Sequence, residues 1–226
     1  MLKGKRILII APHPDDEAIC TGGLIMLAKK MRATVFVLFG AIGSSRQFLT
    51  KQTLATERVI EAKQAATYGN YEYSIMFEGD EFMRLDSIPQ KAMIERIEDT
   101  SQTFHPDIVC IPFGGSFDQD HRALHRACLT AFRPLPPKLR HQPKIILEVE
   151  EPYTWTDGNA FVPNFFIDIS DVFEEKLKLL AKHKTQLRQD PFPRSPQNLR
   201  RLAGMRGCEI GGIYAEGYRM LRGQFL

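Results

Sequence analysis

The chain has 226 residues, 43% of them hydrophobic and 25% charged, with a net charge of +3. It is long enough to bury one sizeable α/β core, and its balance is that of an ordinary soluble globular protein. The small charge, with no long basic run, argues against nucleic acid as a partner. Lys3, Lys5 and Arg6 precede an apolar run of about six residues, too short for a signal-peptide core or a membrane span. Cys20, Cys110, Cys128 and Cys208 form no CxxC pair and no disulfide-framework spacing, which fits a reducing, cytoplasmic setting.

In chain order, Arg6 to Ala11 reads as a fully buried strand, and Ala18 to Met31 as a helix with Ile19, Leu24, Leu27 and Ala28 at helical spacing. Thr34 to Phe39 is a second strand, and Gly40 to Gln52 a polar loop. Thr53 to Tyr68 is an amphipathic helix closed by Gly69-Asn70. Glu72 to Phe77 is a third strand, Asp86 to Thr103 a helix, and Pro106 to Pro112 a fourth buried strand. A helix then spans about His121 to Phe132, followed by strands at Lys144 to Glu150 and Phe165 to Ile169 and helices at Asp171 to Leu187 and Gln197 to Met205. No repeat, low-complexity tract or linker divides residues 1–226, so we expect a single domain. Strands that are continuously apolar and separated by helices predict a mostly parallel, Rossmann-like sheet covered on both faces. Ligands of such sheets bind beyond the carboxyl ends of the strands.

Two polar clusters obey that rule. Pro12-His13-Pro14-Asp15-Asp16-Glu17 lies on the turn between the first strand and the first helix. Its prolines stiffen the turn and push His13 toward an extended conformation. Acids in a first helical turn are also ordinary capping, but capping does not ask for a histidine between two prolines. The second cluster is Asp118-Gln119-Asp120-His121, with His125 one turn further on. Two loops at one sheet edge can bring His13, Asp16 and His121 together, and two histidines with one carboxylate form a common catalytic zinc set. Asp15 should point elsewhere and take a proton from the metal-bound water. With three ligands supplied, His125 is expected to be supporting or structural.

These motifs resemble the LmbE-like, or PIG-L, family of zinc-dependent N-deacetylases. The family's H-P-D-D-E motif stands as His13-Pro14-Asp15-Asp16-Glu17, its later D-H as Asp120-His121, and its R-x-x-E-x-x-x-A helix as Arg58, Glu61 and Ala65, closed by Gly69. Phe161-Val162-Pro163-Asn164, Asp168-Ile169-Ser170, Pro193-Arg194-Ser195 and Tyr214-Ala215-Glu216 extend the likeness to one bacterial branch. Many relatives read H-P-D-H where this chain has Asp118-Gln119-Asp120-His121. The resemblance implies a Rossmann-like fold, Zn²⁺ on His13, Asp16 and His121, and Asp15 as general base. It also implies Arg58 as a substrate contact. The implied reaction removes the acetyl group from a GlcNAc-type sugar on a nucleotide, lipid or glycoconjugate. A thiol-sugar or antibiotic precursor is the alternative substrate, and a non-catalytic sugar-nucleotide-binding module the rival class. An intact Asp15 argues against that rival. Homo-oligomerisation is left open.

Other residues carry less. Arg194 reads as a loop residue in a salt bridge, and Tyr153 and Trp155 as either a sugar-stacking wall or a covering loop. Gly22-Gly23 lacks the dinucleotide spacing and fits close helix packing better, and Cys20 and Cys128 read as small buried helix residues.

Overall fold

The computed structural model describes residues 2–47, 51–79, 84–153 and 160–224. Five strands form its parallel centre: β1 (Arg6–Ala11), β2 (Thr34–Ile42), β5 (Glu72–Glu78), β6 (Ile108–Ile111) and β7 (Ile145–Val149). A separate small hairpin joins β3 (Ser45–Gln47) to β4 (Lys51–Thr53). β8 (Phe165–Asp168) and β9 (Ala215–Gly223) complete a seven-stranded sheet in the order β5-β2-β1-β6-β7-β9-β8, with β9 antiparallel to both neighbours. The expected mostly parallel α/β architecture is present.

The helices fall on two sides because each apolar strand buries side chains on both faces. α1 (Asp16–Met31), α2 (Ala55–Gly69), α5 (Phe173–Leu180) and α6 (Pro196–Cys208) share one core with Ile7, Ile9, Val37 and Phe39. α3 (Gln90–Phe104) and α4 (Gln119–Ala131) close the other over Leu8, Ile10, Leu38 and Val109. Gly22 and Gly23 permit that closeness: a Cβ on Gly23 would stand 2.5 Å from the Ile169 side chain and one on Gly22 2.9 Å from Lys176. Cys20 and Cys128 are buried on α1 and α4, as expected.

Several elements differ from the reading of the sequence, among them the hairpin β3–β4, which begins within the expected Gly40 to Gln52 loop. β2 continues through Gly40 to Ile42 because Ala41 and Ile42 still pair with Phe77 and Glu78. Gly40 has no side chain where a Cβ would meet the Pro12 carbonyl at 3.0 Å, and the Ala41 amide donates to that carbonyl at 3.0 Å. The predicted helix from Asp86 is divided: Leu85–Ser87 is a 3₁₀ turn, and Pro89 precedes α3 because the residue before a proline avoids helical geometry. The predicted helix Asp171 to Leu187 stops at Leu180, and Lys184–Gln186 forms a separate 3₁₀ turn. β9 was not foreseen, since Glu216, Gly217 and Arg219 interrupt any apolar alternation.

β1 hydrogen-bonds to β2 on one side and β6 on the other. The chain order reverses between β1 and β6, which is where a doubly wound sheet opens a crevice at its carboxyl edge.

Candidate active site

The crevice is built from the segments that leave β1, β6 and β7. It encloses about 240 Å³, with His13, Asp15, Asp16, Arg58, Asp118, His121, Tyr153 and Arg194 among its walls. No other group of His, Cys, Asp or Glu among the described residues gathers as His13, Asp16 and His121 do, with one ligand atom of each within 4.8 Å of the others. Asp16 Oδ2 lies 3.7 Å from His13 Nδ1 and 3.5 Å from His121 Nε2.

The remaining ring nitrogens are committed elsewhere, which fixes the tautomers. His13 Nε2 meets Asp120 Oδ2 at 3.0 Å, and His121 Nδ1 meets Glu151 Oε1 at 2.7 Å. Ser116 Oγ donates to the other Glu151 oxygen at 2.7 Å. Carboxylate-backed histidines turned toward a third, anionic donor are the usual build of a metal centre, so the donor set fits a divalent ion. Burial opposes charging of His121, yet Glu151 and Asp16 push its pKa up to about 10. Asp16 is held well below the usual carboxylate range; burial opposes its charge, and the charge of His121 and the hydrogen bond from His13 overcome that.

Asp15 turns away from the cluster, as its adjacency to Asp16 suggested. It sits at the N-cap of α1 with φ 131° and ψ −30°, and its side chain makes no capping hydrogen bond. An N-cap residue normally lies in the β region, and a conformation like this one costs about 1–3 kcal/mol. In this conformation the Asp15 side chain lines the cavity. Arg194 Nη1 donates to Oδ2 at 2.9 Å, and Arg58 Nη2 stands 3.8 Å from Oδ1. Burial and the neighbouring Asp16 raise the Asp15 pKa, against the pull of Arg194 and Arg58.

Arg58 is not a solvated helix charge: its side chain is 4% exposed, and Nη2 donates to the Pro14 carbonyl at 3.2 Å. Arg194 is the salt-bridging loop residue expected, but its partner is Asp15 and it lines the cavity. Tyr153 forms part of the wall, edge-to-face with Phe117 at 5.2 Å. Trp155 lies outside the described residues. His125 is held by the Pro112 carbonyl at 2.9 Å and by Glu148, below Gly114 and outside the cluster, as expected of a structural histidine. Asp118 caps α4 by accepting from the Asp120 amide at 2.9 Å.

Glu151 was missed, although it stands just past the carboxyl end of a parallel strand, where such residues face the ligand. Glu17, in the same motif, is with Asp120 the next candidate base should Asp15 not be one. Its carboxylate is buried against Tyr71 and His183 and does not reach the cavity.

A parallel α/β sheet with a metal-type cluster and a separate buried carboxylate at its switch point has the layout of a hydrolase that activates water. Residues 8–132 match the family model described as PIG-L: GlcNAc-PI de-N-acetylase, and the chain belongs to that family. It is 31% identical over 234 residues, spanning 98% of this chain and 85% of the relative, to diacetylchitobiose deacetylase of Thermococcus kodakarensis. It is 27% identical to a protein of Bacillus cereus named as a probable N-acetyl-alpha-D-glucosaminyl L-malate deacetylase, over 80% of this chain and 84% of that one. The inhibitor complex of N,N'-diacetylchitobiose deacetylase from Pyrococcus horikoshii shares the fold with a TM-score of 0.74 and 22% identity, covering 96% of this chain and 84% of that one.

Proposed function

We propose that this chain is a zinc-dependent N-deacetylase that releases acetate from an N-acetylated amino sugar of the GlcNAc type, with residues 1–226 acting as one unit. The observation that carries this reading is a His–Asp–His cluster sharing a cavity with a separate buried acid, in a chain of the PIG-L family. His13 Nδ1, Asp16 and His121 Nε2 would hold the ion, which when bound supplies a Lewis acid that polarises the acetamide carbonyl and acidifies water.

The protein's own part is proton handling and positioning. Asp15 accepts the proton of the attacking water at Oδ1, since Oδ2 is occupied by Arg194. It returns that proton to the sugar nitrogen as the C–N bond breaks. A raised pKa suits both halves of that task. Arg58 borders the same space and holds sugar hydroxyls or a phosphate of the carrier. The Tyr153–Phe117 pair offers an apolar face to a sugar ring. Four free cysteines, three of them buried, accord with a reducing, cytoplasmic setting.

The deciding experiment is acetate release from N-acetylglucosamine, N,N'-diacetylchitobiose and N-acetylglucosaminyl malate. It is run before chelation, after chelation and after zinc is restored. Release that falls with the chelator and returns with zinc supports the reading. No release from any substrate, or release indifferent to the chelator, overturns it.

A further inference from the structure

Behind the catalytic turn lies a second polar group that proton transfer does not itself use. Its hub is Glu17, whose side chain is fully buried. The Asp15 amide donates to Glu17 Oε2 at 2.9 Å, the Tyr71 hydroxyl donates to Oε1 at 3.0 Å, and His183 Nε2 meets Oε1 at 2.7 Å. His183 is 166 residues away in the chain and equally buried.

The one backbone group that Glu17 grips is the amide of the one residue whose conformation needs holding. Four non-glycine described residues have positive φ. Arg32, Asn70 and His105 close helix C-termini in the left-handed region, where such geometry is ordinary. Asp15, at φ 131°, opens a helix instead. A strained residue persists only where its surroundings over-determine it. Glu17 can fix the Asp15 amide only if its own carboxylate is fixed, and among the described residues its other anchors are Tyr71 and His183. His183 is itself clamped: Thr185 donates its amide and its hydroxyl to Glu61, each at 2.7 Å, and the Gln186 amide donates to the His183 carbonyl at 3.0 Å. Glu61 lies one helical turn beyond Arg58, and Gln186 lines the cavity.

We propose that His183, acting through Glu17, is the positioning residue for Asp15: it holds the strained turn in the orientation that points the Asp15 carboxylate at the reacting water. The proposal rests on the deacetylase reading. A purely structural ion pair would lower stability and leave turnover of the folded enzyme alone. A positioning residue lowers kcat with KM and bound metal unchanged, because displacement of a catalytic group by about 1 Å costs up to about a hundredfold.

The test is a kinetic double-mutant cycle on zinc-loaded enzyme, at a temperature where every variant is folded. His183→Gln should lower kcat tenfold to a hundredfold, with zinc content and KM as in the parent. Added to Asp15→Asn, the same change should cost less than twofold, because the group it positions no longer works. Should His183→Gln fail to fold, Tyr71→Phe removes the hydroxyl anchor of the same carboxylate. It should give a smaller loss with the same dependence on Asp15. A parental kcat in the folded variant overturns the proposal, as does an equal loss in both backgrounds. If the parent enzyme releases no acetate at all, the deacetylase reading fails first and takes this proposal with it. If the parent is active, failure of the cycle counts against His183 alone.

Discussion

Arg194 Nη1 donates to Asp15 Oδ2 at 2.9 Å, so one oxygen of this buried carboxylate is already engaged. Oδ1 is left facing Arg58 Nη2 at 3.8 Å, and on the deacetylase reading it is the oxygen that takes the proton. Asp15→Asn retains this shape and loses the basic oxygen. We expect kcat to fall by about 10²–10⁴-fold with zinc still bound, measured by acetate release and metal analysis of one preparation. Loss of the metal would exchange the roles of Asp15 and Asp16. The next bases to test, Glu17 and Asp120, do not line the cavity: Glu17 faces Tyr71 and His183, and Asp120 Oδ2 faces His13.

Arg194→Ala should lower kcat/KM by about tenfold to a hundredfold, since it removes a charge-assisted hydrogen bond of about 1.5–3 kcal/mol. Arg194→Lys keeps the charge but not the fork and should recover part of that loss. Full activity in Arg194→Ala would mean that the ion pair only closes the loop.

Ligation and its support separate cleanly by substitution. His13→Ala, Asp16→Ala and His121→Ala should each abolish stoichiometric zinc. Glu151→Gln should keep one ion per chain and weaken its affinity by about 10–100-fold, because Glu151 only orients His121 through Nδ1. Competition against a chelator measures the difference. An unchanged affinity would show that the short Glu151 contact does nothing for the ion.

The family resemblance casts Arg58 as a contact to substrate whose removal leaves the thermal midpoint almost unmoved. Its burial says otherwise, because removing it strips the Pro14 carbonyl of a donor beside a buried Asp15. Arg58→Ala should raise KM and also cost about 1–3 kcal/mol, a drop of several degrees in Tm. A raised KM with an unmoved Tm would return Arg58 to a purely substrate-facing role.

The parallel centre of the fold was legible because its strands are buried on both faces and read as unbroken apolar runs. The two loops that carry His13, Asp16 and His121 were legible because a doubly wound sheet places them at one edge. What stayed hidden depends on contacts distant in sequence. β9 is held by pairing on both sides although its own residues alternate poorly, and its buried Glu216 is satisfied by Lys176 and by amides of α1. His183 falls in a stretch whose helical periodicity continues past Leu180. There the chain turns instead, with His183 on the buried Glu17 carboxylate and the Thr185 amide on Glu61.

The His183–Glu17 contact also gives stability a pH dependence. Burial opposes charging of His183, but the charge and hydrogen bond of Glu17, with Asp15 and Glu61 beyond, raise its pKa above the ordinary 6.5. The folded protein therefore holds this proton more tightly than the unfolded chain does. The stabilisation is complete below about pH 6.5 and is lost as pH rises through the folded value. Glu17, held below its ordinary 4.5, contributes in the opposite sense and keeps its share until the pH falls below that range. Urea unfolding of zinc-saturated protein from pH 6 to 9 should show parental stability declining toward that of His183→Gln. Because the ligands titrate in both proteins, subtracting the two curves isolates His183. A difference that stays constant across that span would mean that His183 is neutral in the folded state and that its bond to Glu17 carries no charge.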